Sequence, residues 1–348
     1  MLISSNYEKG ESMYTLITGS TGFIGRNLVL KLKQEGRQIK CLVRESSDIS
    51  NLINIGVEFI YGDILSPSTY ADAIADVDTV YHLAGNARPN NFSKLKDYEV
   101  NIEGTRGLLE NIRRYSPSIK KIVIVSSIAA TGPSRDGKPL NELSPMRPIT
   151  TYGESKKIVE EISRDYYIRF KLPITVVRPP MVYGIGDKDW ISFFELIRDA
   201  SVQNKKLFLP GKRKNKMDFC YVSNLVDGLI AVEVSKDTVG KVYFISDNQS
   251  YSMNEIIDAV CAAYDISKPT KYVSYPFSVF LATILDFLSK IFQREMPIGK
   301  REINWMTKDY WICDISRVRE DTNYSSSISL NEGVKKTIES LVNYDKNL

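Results

Sequence analysis

Short apolar runs rich in Val, Ile and Leu alternate with longer amphipathic stretches through the first half of the chain. Tyr14–Ile17, Gln38–Val43, Val57–Tyr61, Thr79–Leu83 and Lys121–Val125 are such runs. Their apolar residues follow one another almost without a break, as in strands buried on both faces. Arg26–Gln34 and Val100–Tyr115 instead repeat apolar positions at three- and four-residue spacing, which predicts helices. Strands that alternate with helices imply right-handed crossovers and a parallel sheet covered on both faces.

The pattern loosens after the midpoint. Thr151 to about Phe170 reads as a helix, and so does Trp190–Asp199, with Phe193, Phe194 and Ile197 on one face. Asp218–Val222 and Lys241–Ile245 read as short strands. Phe277–Phe292 is apolar almost all round apart from Asp286 and Lys290, which form an i,i+4 pair. It reads as a core helix, with a lid over an apolar substrate or a membrane-surface contact as alternatives. Lys205, Lys206, Lys212, Arg213, Lys214 and Lys216 surround Pro210-Gly211 and read as a solvated flap, or as an anchor for a phosphorylated or CoA-linked substrate.

The loop after the first strand narrows the fold. Gly19, Gly22 and Gly25 lie between a strand and a helix, in Thr18-Gly19-Ser20-Thr21-Gly22-Phe23-Ile24-Gly25. Gly19 serves the tight turn, Gly22 the approach of a pyrophosphate, and Gly25 close helix packing. The helix N-terminus supplies N–H groups and a positive dipole end to the phosphates. The expected fold class is therefore α/β, a Rossmann doubly wound parallel sheet, with 13–180 as the dinucleotide-binding domain. Residues 1–12 are polar and read as a loose extension.

The second strand ends at Arg44, where an arginine accommodates the 2′-phosphate of NADP and an acidic residue would bind the ribose of NAD. Glu45 follows directly, so NADP is expected and NAD is the alternative. Asp63, Gly85 and Ser127 stand at the carboxyl ends of later strands, where ligands bind in such sheets.

Composition changes this picture little. The 348 residues carry a net charge of +4, which gives no footprint for nucleic acid. Four scattered cysteines without a CxxC pair favour a reducing cytoplasm over disulfides or zinc. No apolar run is long and uncharged enough to span a bilayer. His82 is the only histidine, so histidine triads and multi-histidine metal sites are excluded. Inside a buried strand it reads as a core residue.

Tyr152 and Lys156 lie four apart at the start of a helix, hence on one face. A free tyrosine has a pKa of about 10. A neighbouring ammonium and a cationic nicotinamide favour the phenolate, so the expectation is a lowered value and a tyrosine that exchanges a proton with a substrate hydroxyl.

With these residues in place the chain resembles the extended short-chain dehydrogenase/reductase family, also called NAD(P)-dependent epimerase/dehydratases. The resemblance runs from Met13 to about Glu339. It is carried by the glycine-rich turn, Gly62-Asp63-Ile64, His82-Leu83-Ala84-Gly85, Val100-Asn101-Ile102-Glu103-Gly104-Thr105, Val125-Ser126-Ser127, Tyr152-Gly153-Glu154-Ser155-Lys156 and Arg178-Pro179-Pro180-Met181-Val182-Tyr183-Gly184. It implies a smaller, mixed C-terminal substrate domain, taking 181–348 for the most part with about 219–246 returning to the first domain. It implies a catalytic set of Ser127, Tyr152 and Lys156. Tyr152 is the acid and base, Ser127 binds the substrate oxygen, and Lys156 binds the nicotinamide ribose. Ser127 is chosen over Ser126 by its spacing to Gly132, and the two would face opposite sides of the strand.

The resemblance also implies a cofactor site of Gly19, Thr21, Gly22, Phe23, Ile24, Gly25, Arg44, Asp63, Ile64, Leu83, Ala84, Gly85, Asn101, Tyr152, Lys156, Pro179 and Pro180. Ser127, Met181, Asp218 and Tyr221 would face a small-molecule substrate, and a homodimer is expected. Two departures narrow the chemistry. Nucleotide-sugar enzymes of the family carry an arginine before the Asp-Phe pair, where Met217 stands; sugar dehydratases place Asp-Glu after the catalytic serine or threonine, where Ile128-Ala129 stand. Ser127-Ile128 with Gly132-Pro133, and Trp311–Ser316, look like the 3β-hydroxysteroid dehydrogenase-like branch. The expected function is interconversion of a secondary alcohol and a ketone on an apolar or acyl-like substrate. The alternatives are a nucleotide-sugar 4-epimerase and a cofactor-sensing protein without turnover.

Overall fold

The structure is a computed structural model that describes residues 13–87, 95–210, 215–273, 280, 283–284 and 310–345. The 1–12 segment, Lys212, Arg213 and Lys214 lie outside these residues, as does Phe277–Phe292 apart from Phe280, Thr283 and Ile284.

The chain begins with β1 (Tyr14–Thr18), α1 (Phe23–Gln34), β2 (Ile39–Val43), β3 (Glu58–Tyr61) and β4 (Val77–His82). It continues through α2 (Glu99–Tyr115), β5 (Lys121–Val125), α3 (Thr151–Phe170), β6 (Ile174–Arg178), β7 (Met181–Tyr183), α4 (Asp189–Val202) and β8 (Leu207–Pro210). Next come β9 (Lys216–Tyr221), α5 (Val222–Val234), β10 (Val242–Phe244), β11 (Ser250–Ser252), α6 (Met253–Tyr264) and β12 (Thr270–Val273). The last described elements are β13 (Tyr310–Trp311), α7 (Ser316–Thr322) and α8 (Leu330–Asp345).

Seven strands form one sheet in the order β10-β6-β5-β4-β1-β2-β3, all parallel. The chain runs outward from β1 to β3, returns across the sheet, and runs outward again from β4. The order therefore reverses between β1 and β4, which opens a crevice at the carboxyl ends of those strands. This is the doubly wound Rossmann arrangement expected from the sequence.

Alternation within each strand supplies both faces of the core. Ile17, Val123 and Val125 pack with Leu28, Val29 and Leu32 of α1 and with Leu225 and Leu229 of α5. Leu16, Val80, Ile122 and Ile124 pack with Leu108 and Ile112 of α2 and with Val159 and Ile162 of α3 on the other side.

A smaller sheet is built on β9, which pairs with β11, β13 and β7. Of the stretch 219–246, the end of β9 belongs to this second sheet, whereas β10 pairs with β6 of the first. A third, two-stranded pairing joins β8 and β12. Among the described residues, no helix is long and apolar enough to cross a membrane.

Candidate active site

The glycine-rich turn is packed to the limit. Gly19 has φ +73°, and a β-carbon there would stand 2.7 Å from the Ala84 nitrogen at the end of β4. A β-carbon on Gly25 would stand 2.1 Å from the Gly19 carbonyl oxygen, so this glycine seats α1 on the turn rather than directly on β1. Gly22 is exposed beside Thr21, and its amide donates to the Gly19 carbonyl at 3.1 Å. No side chain caps α1, and its first turn, with Phe23 and Ile24, holds no acidic residue. The N–H groups there are open to an anion. The Nε of Arg26, in the same turn, is buried without a hydrogen-bond partner. These features fit a dinucleotide diphosphate.

The end of β4 meets α2 through one directional chain of hydrogen bonds. The Thr105 hydroxyl donates to the Asn101 carbonyl at 2.6 Å, so His82 Nε2 donates to Thr105 Oγ1 at 2.9 Å. Nδ1 of the neutral ring then accepts from the Thr18 hydroxyl at 2.7 Å, whose oxygen accepts from the Ala84 amide at 3.2 Å. Burial, with Lys156 adding to it, pushes the His82 pKa down to about 3. The single histidine is thus a neutral spacer, as the sequence suggested. Asn101 accepts from the Asn86 amide at 2.7 Å and donates to the Ser155 hydroxyl at 3.0 Å. A β-carbon on Gly85 would lie 3.0 Å from Asn101 Oδ1 and 3.5 Å from Lys156 Nζ, so its absence keeps space open above both.

Ser127, Tyr152 and Lys156 converge beside that space. Lys156 Nζ donates to the Val125 carbonyl at 2.9 Å and lies 6.0 Å from the centre of the Tyr152 ring. The Ser127 hydroxyl oxygen accepts from the Ala129 amide at 3.1 Å, in the turn on which α3 closes. Burial pushes the Tyr152 phenol up to about 12; Ser127 works against this rise and Tyr98 adds to it. Burial pushes the Lys156 ammonium down to about 8, and the Glu160 carboxylate opposes that shift. The lowered tyrosine pKa expected from the sequence is therefore corrected for the protein alone. Desolvation of the phenol outweighs a lysine whose proton is aimed at a carbonyl.

The remaining predicted positions divide. Ile64 is buried, and its side chain fills the space left by Gly104. Asp63 accepts from the Leu65 amide at 2.9 Å, in a turn at the end of β3. Arg44 and Glu45 are both exposed beyond β2. Pro179 and Pro180 are buried, with the Pro179 carbonyl accepting from the Ile128 amide at 2.9 Å. Leu83 and Met181 are half-buried.

Asp218 and Tyr221 are not presented to a ligand, which corrects the substrate-facing assignment. Asp218 accepts from Ser250 at 2.5 Å and from the amide and thiol of Cys313 at 2.9 and 3.0 Å, all inside the second sheet. Tyr221 is buried in an aromatic cluster, 5.5 Å from the Tyr183 ring, with its amide held by Asp247. A carboxylate within an apolar strand resembles a functional group in sequence; here it ties β9 to residues distant in the chain.

Three contributors were given no role from the sequence. A β-carbon on Gly153 would lie 2.3 Å from the Ala129 carbonyl oxygen, so glycine lets α3 close on the turn that follows Ser127. Tyr98 is buried with its ring 6.2 Å from that of Tyr152. Glu160 accepts from Ser126 at 2.6 Å and takes a bidentate grip from Arg178. Only the Tyr152-Gly153 adjacency was open to sequence reading; the other two roles depend on tertiary packing.

Comparison with known proteins agrees with this geometry. The model of the NAD dependent epimerase/dehydratase family matches residues 15–246. The chain is 25% identical to the mouse (Mus musculus) sterol-4-alpha-carboxylate 3-dehydrogenase, decarboxylating, covering 93% of this chain and 90% of that protein. It is 24% identical to the N-acetyl-alpha-D-glucosaminyl-diphospho-ditrans,octacis-undecaprenol 4-epimerase of Escherichia coli O157:H7, covering 93% and 94%. The crystal structure of dTDP-glucose 4,6-dehydratase from Bacillus anthracis in complex with NAD superposes with a TM-score of 0.75 at 23% identity, covering 96% and 97%. A family model that spans two thirds of the chain, on a fold and turn built as described, identifies it: the protein belongs to the NAD-dependent epimerase/dehydratase family of extended short-chain dehydrogenases/reductases.

Proposed function

We propose that this chain interconverts a secondary alcohol and a ketone on an apolar or acyl-like substrate, with Tyr152 as the proton-transfer group. The observation that carries this reading is the buried Lys156 ammonium 6.0 Å from the centre of the Tyr152 ring, with Ser127 beside the phenol. The phenol keeps its proton across neutral pH, which suits donation to a carbonyl oxygen and hence the reductive direction. Ser127 orients that oxygen, and Lys156 supplies the positive charge that steadies the phenolate left behind. A nicotinamide nucleotide, held by the Gly19–Gly25 turn and the space above Gly85, supplies or accepts the hydride when bound.

Arg44, exposed where β2 ends, supports a 2′-phosphate and therefore NADP. Dehydration is disfavoured by Ile128 and Ala129, which stand where an acid and a base are needed; Ile128 is buried in the turn after Ser127. Met217, also buried, leaves no arginine for a nucleotide diphosphate at that position. The Escherichia coli relative named as a 4-epimerase favours a second reading, in which the cofactor is recycled rather than consumed.

Reduced-nicotinamide absorbance with purified protein, NADPH or NADH, and a panel of hydrophobic ketones tests the proposal. Steady consumption supports it. No net consumption, together with interconversion of UDP-sugars, would replace it with the epimerase reading.

A further inference from the structure

We infer that the buried Glu160–Arg178 pair, tethered by Ser126, is a positioning and charge-holding unit for Lys156. The inference rests on the proposed role of Lys156 as the cation beside Tyr152. Glu160 lies one helical turn beyond Lys156 on the same face of α3. Its carboxylate accepts from Arg178 Nε at 2.9 Å, from Arg178 Nη2 at 2.6 Å and from the Ser126 hydroxyl at 2.6 Å. Both partners of the ion pair are 4% exposed.

Each of the three residues adjoins a different part of the candidate site. Ser126 precedes Ser127 at the end of β5. Arg178 precedes Pro179 at the end of β6. Glu160 shares α3 with Tyr152 and Lys156. One carboxylate therefore fixes the relative positions of two strand ends and the helix. It accepts three charge-assisted hydrogen bonds in a dry interior, where such bonds are strong and directional.

The electrostatic consequence follows from the surroundings of Lys156. Tyr152 and Glu160 approach it along α3, His82 from β4, Asn101 from α2, and the Val125 carbonyl from β5. His82 is neutral, Asn101 is uncharged and Tyr152 holds its proton. Glu160 is thus the nearby anion among the described groups, and it opposes the downward push of burial on the ammonium. Arg178 holds that carboxylate in place through Nε and Nη2.

The test titrates Lys156 directly, with lysine labelled by heavy carbon at Cε and the resonance assigned through Lys156→Arg. Wild type is compared with Glu160→Gln and with Glu160→Gln/Arg178→Met. The single variant strands a buried guanidinium and is expected to be much less stable, so the double variant, which removes both members of the ion pair, keeps the test open. The expected result in whichever variant folds is a Lys156 midpoint lower by about one pH unit, a tenfold weaker hold on the proton. The alkaline limb of the rate profile should move down with it. An unchanged midpoint with only a lower melting temperature would reduce the pair to a structural strut and overturn the inference. Because the titration needs no turnover, absence of ketone reduction would sink the proposed function and leave this result standing.

Discussion

Ser126 and Ser127 are neighbours in sequence whose hydroxyls serve opposite sides: Ser126 donates to Glu160 at 2.6 Å, while Ser127 accepts from the Ala129 amide at 3.1 Å and acts on the Tyr152 phenol. Replacing each with alanine should separate their effects. Ser127→Ala is expected to lower kcat about 100-fold with little change in melting temperature, the scale of one lost oxyanion-type donor. Ser126→Ala should cost about 2 kcal/mol of stability, because it removes a bond to a buried charge. Steady-state kinetics beside urea denaturation decide it; equal kinetic losses would contradict the division.

Tyr152→Phe keeps the ring against Tyr98 and removes only the proton-bearing oxygen. We expect activity to fall at least 100-fold while nucleotide binding, followed by quenching of protein fluorescence, stays within a few-fold of wild type. Retained turnover would require a different acid.

Gly153→Ala asks whether the closeness of α3 to the turn after Ser127 matters. The added carbon would lie 2.3 Å from the Ala129 carbonyl, so helix and turn must part. The expected cost is about 1–3 kcal/mol, as for overpacked interiors, with a larger loss of kcat than of stability. Thermal melts and kinetics on the same preparation give both numbers.

Two buried groups should hide each other's pH dependence. His82 is pushed down to about 3, so between that value and its unfolded 6.5 the unfolded chain binds the extra proton and stability falls as pH falls. Asp247 is pushed up to about 6 by burial, so between its unfolded 3.8 and 6 the folded chain binds the extra proton and stability rises as pH falls. From about pH 4 to 6 the two slopes oppose. Relative to wild type, Asp247→Asn should lose stability on going from pH 6 to 4.5, and His82→Gln should gain it. Urea midpoints at the two pH values measure both signs.

Strands β1 to β5 of the first sheet were legible in the sequence as short apolar runs between helical repeats, whereas β6 (Ile174–Arg178), though fully buried, was not read as a strand. The turn was legible because Gly19 and Gly25 permit contacts that no other residue would survive. The second sheet was not: β7, β11 and β13 have two or three residues each, too few to express a period. Asp218 misled for a related reason, since its partner Cys313 lies 95 residues away and nothing local announces it. Tyr98 and Glu160 escaped similarly, as an ordinary aromatic and an ordinary helix acid until packing brought each to α3.

Contacts around the carboxyl end of β5 already join the parts of the proposed acid–base group: Lys156 Nζ donates to the Val125 carbonyl, the Ile128 amide donates to the Pro179 carbonyl, and Gly153 lets α3 close on Ala129. That group is therefore held by the protein's own packing. On the proposed function, substitutions in the second sheet and its loops are left free to explore new substrates without rebuilding that group, so exchange of those loops alone is the route to a changed specificity.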